Sequence, residues 1–100
     1  MEKKTVLEIA TAKELRGAIV QTLYTTYPTE VTIGTLRSLL RHRGTTVEED
    51  IKKAVYYLRG KKYVKLELSS DYWDNIIFLT PEGINLAERD TNDIGVMIDG

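Results

Sequence analysis

Leu15, Ala18, Ile19, Thr22 and Leu23 recur at helical spacing and predict a first helix starting near Thr11 or Ala12. Gly17 weakens it slightly. Tyr27-Pro28-Thr29 ends it, because the residue before a proline avoids helical geometry. Val6 to Ile9 read either as an extension of this helix or as a loose arm. Glu30-Val31-Thr32 is a short extended link, and Thr32 is placed to cap a second helix. Ile33, Leu36, Leu39 and Leu40 form the apolar stripe of that helix, with Arg37, Arg41 and His42 largely off it. Gly44 then sits where a left-handed cap is usual.

Thr45-Thr46 opens a third helix, with Thr46 and Glu49 spaced as a capping box. Glu48, Glu49 and Asp50 suit the positive end of the helix dipole. Ile51, Ala54, Val55 and Leu58 face inward, and Gly60 is expected to stop the helix. Tyr63 to Leu68 alternates and is rich in strand formers, and Ile76-Ile77-Phe78-Leu79 reads as its return strand. The polar turn between them, Ser69 to Asn75, carries two exposed-looking aromatics, Tyr72 and Trp73, and is longer than a tight hairpin loop. Thr80 caps a fourth helix, with Pro81 at the first position, where a missing amide costs nothing. Ile84, Leu86 and Ala87 give this helix its apolar contacts. Ile94, Val96, Met97 and Ile98 form a short apolar segment with no evident partner. The expected organisation is an arm or helix extension over 1–10, one domain over 11–90 and a tail over 91–100.

One hundred residues, 42% of them hydrophobic, suffice for one core with little surplus stability. Without cysteine, disulfides and thiolate metal sites are excluded, and the single histidine cannot build a zinc site alone. No run is apolar enough for a signal peptide, nor does any approach the roughly 20 residues that span a bilayer. A soluble cytoplasmic protein without membrane, metal or cofactor is expected. The net charge of −1 conceals a strong asymmetry. From Arg37 to Lys65 there are nine basic and three acidic residues, whereas the rest of the chain holds five basic and twelve acidic. Such a middle segment favours an anionic partner on one face, although lysines and arginines also simply solvate helix surfaces.

With this order of elements the chain resembles the winged helix-turn-helix superfamily over about Ala12 to Glu88. Three helices followed by a hairpin carry the likeness, together with two motifs. Val55-Tyr56-Tyr57-Leu58-Arg59-Gly60-Lys61-Lys62-Tyr63-Val64 looks like a recognition helix running into a wing. Leu79-Thr80-Pro81-Glu82-Gly83 resembles the segment that closes the wing in several bacterial and phage regulators. The resemblance implies an α+β domain: a three-helix core, a two- to three-stranded β-wing and a C-terminal helix. It further implies a role in binding double-stranded DNA, usually as a transcription regulator. Members often dimerise through terminal helices, for which this chain offers its first helix and its fourth helix with the tail.

If the third helix (about 46–59) enters the major groove, its outward face holds Glu49, Lys52, Lys53 and Tyr56. Lys52 and Lys53 would meet phosphates or guanine edges, and Tyr56 a sugar or a thymine methyl. Arg37, Arg41 and Arg43 would grip the backbone beside the groove, and Lys61, Lys62 and Lys65 would do so at the base of the wing. The same lysines also read as solvated helix residues. Two features oppose DNA: the carboxylates at the leading end of the third helix, and Asp71 and Asp74 at the wing tip. The alternative is a protein-interaction module, such as a part of a phage packaging or replication complex, in which Tyr72 and Trp73 or the apolar tail contact the partner. Enzyme chemistry lacks its parts, with no Cys–His pair and no glycine-rich phosphate loop, and His42 reads as a solvated residue.

Overall fold

The computed structural model describes residues 5–41, 44 and 47–98. The first helix, α1 (Val6–Thr26), starts earlier than its buried residues suggest, because Thr5 and Glu8 form a capping box. The Glu8 amide donates to Thr5 Oγ1 at 3.1 Å, and the Thr5 amide donates back to Glu8 Oε1 at 3.3 Å. Residues 6–10 are therefore a helical extension and not an arm. Farther along, Leu15, Ala18, Ile19, Val20 and Leu23 enter the core.

The short strand β1 (Val31–Thr32) leads directly into α2 (Ile33–Leu40), whose first turn is capped as expected. The Thr35 amide donates to Thr32 Oγ1 at 3.0 Å. Ile33, Leu36 and Leu40 are fully buried, but Leu39, expected on the apolar stripe, lies at its exposed edge. Gly44 has a φ of +88°, as a left-handed turn requires.

The next helix, α3 (Glu48–Gly60), buries Ile51, Ala54, Val55 and Leu58. Val47 is its N-cap residue and makes no side-chain cap bond. Thr46 of the expected capping box, His42 and Arg43 lie outside the described residues. Gly60 is the last residue of α3, in keeping with its expected role as the stop, but the left-handed residue lies two positions on, at Lys62, with φ +66°. The reason is the hydrogen bonding at the helix end. The Lys62 amide donates to the Arg59 carbonyl and the Tyr63 amide to the Leu58 carbonyl, both at 3.0 Å. These satisfy carbonyls that would otherwise be left free where the helix ends.

Two further strands, β2 (Val64–Glu67) and β3 (Ile76–Leu79), form the expected hairpin. Adding β1 gives a three-stranded antiparallel sheet of order β1-β3-β2, with Ile77 opposite both Leu66 and Val31. The last helix, α4 (Pro81–Ala87), has Thr80 as its cap. Thr80 Oγ1 accepts from the Gly83 amide at 3.1 Å and donates to the Lys62 carbonyl at 2.6 Å, joining the helix to the corner before β2. A Cβ on Gly83 would lie 2.1 Å from the Tyr63 carbonyl oxygen, so the approach of α4 to that corner needs glycine. The fold is thus α+β, with four α-helices and one sheet among the described residues. No described helix is long and apolar enough to cross a membrane.

The apolar tail segment does have a place. Val96 is buried in the core, and the Met97 amide donates to the Lys13 carbonyl at 3.1 Å. Gly17 makes this possible, since a Cβ there would stand 1.6 Å from the Met97 carbonyl oxygen. Arg16 fixes the same segment, donating to the Gly95 carbonyl at 3.0 Å while its guanidinium stacks 3.8 Å above the Tyr57 ring.

Candidate nucleic-acid interface

Because its aliphatic side is buried, α3 presents the opposite face outward. Glu49, Lys53 and Tyr56 are exposed there, Tyr56 to 82%. A tyrosine so open on a structured helix has no part in the core. Arg59, one turn beyond Tyr56, is also exposed and was missing from the expected set, although the spacing 52, 56, 59 pointed to it.

Lys52 is directed sideways. Its ammonium lies 5.4 Å from the Tyr72 ring and 5.8 Å from the Trp73 ring. Both rings belong to a 3₁₀ turn (Tyr72–Asp74) in the connection between β2 and β3, which packs on α2. They meet edge to face, with centroids 5.1 Å apart at 87°. Arg37, on α2, stands 5.2 Å over Trp73 and pairs with Glu48 at 3.1 Å. Tyr72 and Trp73, expected as exposed wing-tip aromatics, are therefore half-buried and partnered within the chain. Buried Asn75 holds the turn in place. Its Oδ1 accepts from the Ser69 amide at 2.6 Å, and its carbonyl accepts from the Ile33 amide at 2.9 Å. Burial pushes the Tyr72 hydroxyl pKa up, against the opposing pull of the Arg59 charge. Leu68, at the end of β2, is the exposed apolar residue of this connection.

The remaining cations divide into two groups. Arg41, Lys62 and Lys65 are exposed at the end of α2, at the corner after α3 and on β2. Lys61 instead turns toward the tail and pairs with Asp93 at 3.4 Å. Asp93 also accepts from the Tyr63 hydroxyl at 2.6 Å and the Gly95 amide at 2.7 Å. Burial alone would push the Asp93 carboxyl up, but these bonds and the Lys61 charge hold it below the usual carboxylate range. Burial, then the bond to Asp93, pushes the Tyr63 hydroxyl up to about 12. Lys61 therefore anchors the tail, while Lys53 and Arg59 flank Tyr56 on α3 and Lys62 and Lys65 are exposed farther along the chain.

Of the three carboxylates at the start of α3, Glu48 is neutralised by Arg37, while Glu49 and Asp50 remain exposed near the amide end of the helix. Among the described residues no group of three or more histidine or carboxylate side chains could hold a metal ion. Comparison with protein-family models, curated proteins and solved structures returns no match for this chain.

Proposed function

We propose that the chain is a small winged helix-turn-helix protein that binds double-stranded DNA with α3 in the major groove and regulates transcription by occupying its site. The observation that carries this reading is the outer face of α3, where exposed Tyr56 is flanked by Lys53 and Arg59 on a helix rigidly anchored by its aliphatic side. Order and pairing of the elements fit the same reading, with α2 and α3 followed by a hairpin whose inner strand pairs with β1. Lys53 and Tyr56 are the residues to meet base edges, and Arg41, Arg59, Lys62 and Lys65 to meet phosphates. Lys52 and Arg37 act indirectly, by holding the aromatic turn against α2. The rival reading, a protein-interaction module that uses Tyr72 and Trp73, draws less support because both rings are already half-buried.

Fluorescence polarisation with a random duplex at two salt concentrations tests the proposal. Roughly four phosphate contacts give a slope of log affinity against log salt near −3.6. Binding should thus be measurable at low salt and nearly vanish at high salt. Affinity that ignores salt, or no affinity at low salt, contradicts the proposal.

A further inference from the structure

Lys61 and Lys62 are neighbours at the corner after α3, yet their charges meet opposite surroundings. Lys62 is exposed, whereas the Lys61 ammonium lies 3.4 Å from Asp93 Oδ2 and 5.9 Å from the Tyr57 ring. The Asp93 side chain is 8% exposed and that of Lys61 48%. Two other donors reach the same carboxylate, the Tyr63 hydroxyl at 2.6 Å and the Gly95 amide at 2.7 Å. Despite burial, these bonds and the Lys61 charge hold the Asp93 carboxyl below the usual carboxylate range, so it carries a full charge at neutral pH. Arg16, the cation on the α1 side of the tail, is bonded to the Gly95 carbonyl and stacked on Tyr57. Buried Val96 and the Met97 amide, bonded to the Lys13 carbonyl, fix the segment that carries Asp93. Asp93 is thus a seated anion, and Lys61, half in solvent on a flexible four-carbon stem, is the partner free to move.

We propose that the tail is an autoinhibitory strap on DNA binding, in which Asp93 withholds Lys61 from the phosphates that Lys62 meets. The inference rests on the reading of α3 and its corner as the DNA-binding surface. A fixed anion beside Lys61 cancels the positive charge it would otherwise present to the duplex. An exposed ion pair is weak, so the restraint is modest and reversible. Its strength follows from the seat of Asp93, because the bonds from Tyr63 and Gly95 keep the carboxylate in place whether or not Lys61 stays with it. Asparagine at this position would keep the seat without the charge. Its carbonyl oxygen accepts from the Gly95 amide as before, and its amide nitrogen donates to the Tyr63 hydroxyl. Removing the charge therefore frees Lys61 while the tail stays docked. A partner that lifts the tail from α1 would free Lys61 in the same way and tighten the complex with DNA.

Polarisation titrations of the full chain against a random duplex at low salt test the strap. Asp93→Asn should bind about 5-fold more tightly than wild type, the scale of one exposed ion pair. Its salt slope should be steeper by about 0.9, the share of one added phosphate contact. In a Lys61→Gln background the same change should alter affinity by less than about 2-fold, because the gain passes through Lys61. A second pair of variants does not depend on how well Asp93→Asn folds. Lys61→Gln alone should stay within about 2-fold of wild type, whereas Lys62→Gln should weaken binding by about 5-fold. If the wild type binds and Asp93→Asn gains nothing, the strap is overturned and the DNA-binding reading stands. An equal gain with and without Lys61, which marks a general charge effect, overturns it too, as does a loss in Lys61→Gln as large as that in Lys62→Gln. A wild type with no affinity at low salt overturns both readings together.

Discussion

Gly17→Ala should destabilise the protein by roughly 2–4 kcal/mol, the reverse of the gain of up to about 1 kcal/mol expected for this exchange inside a helix. The added methyl would stand 1.6 Å from the Met97 carbonyl oxygen, a backbone atom that cannot move without taking the tail with it. Losing the tail exposes Val96, whose burial stabilises by about 1.5–3 kcal/mol. It also removes the bond from Met97 to Lys13 and that from Arg16 to Gly95, each contributing about 1 kcal/mol. The small helix gain offsets only part of this. For a domain of this size each kcal/mol shifts the melting midpoint by about 4–8 °C, so a fall of roughly 10 °C or more is expected by circular dichroism. Gly60→Ala is the matched control. It is also helical, and an added Cβ there meets nothing within 4 Å, so it should be neutral or stabilising. A Gly17→Ala protein as stable as wild type would mean that the tail does not dock on α1.

The largest functional effect is expected from reversing charge on α3, the corner after it and β2. Lys53→Glu, Lys62→Glu and Lys65→Glu together should reduce affinity for duplex DNA by about 10³-fold at low salt, and losing the phosphate contacts of Lys62 and Lys65 should make the salt slope shallower by about 1.8. All three side chains are exposed. Lys62 keeps its left-handed backbone, which glutamate tolerates no worse than lysine. The triple variant should therefore melt close to wild type, separating lost binding from lost folding. Lys52→Glu alone is a poor substitute, because it also places a carboxylate against the Tyr72 and Trp73 rings. Unchanged affinity in a folded triple variant would remove α3 and the corner after it from the interface.

Where a local rule has one dominant cause, the chain could be read directly. Thr32 and Thr80 cap their helices because a hydroxyl one residue before a helix reaches a first-turn amide that has no partner within the helix, and Pro81 fits the first turn because its missing amide costs nothing there. The aliphatic spacing of α3 identified its buried side residue by residue. What escaped was set by partners distant in sequence. Gly17 counted as a weakness in a helix until Met97, eighty residues away, supplied its reason. Tyr72 and Trp73 looked exposed because their loop is polar, yet that loop is long enough for the rings to fold back on α2 beside Arg37 and Lys52. α3 ends at Gly60, yet the left-handed residue is Lys62, because the hydrogen bonds to the Leu58 and Arg59 carbonyls settle the corner and outweigh the preference of glycine for left-handed geometry. The start of α1 was legible in principle, since Thr5 and Glu8 have capping-box spacing, but no buried residue lies near to draw notice to it.

The central claim is that the outward face of α3 meets the DNA. A titration of the isotopically labelled protein with a random duplex at low salt, followed by backbone amide NMR, addresses it residue by residue. The account predicts the largest shifts at Lys53, Tyr56, Arg59 and Lys62, with little change at Val96 and Met97. Shifts confined to α1 and the tail, or a spectrum untouched by DNA, would contradict it.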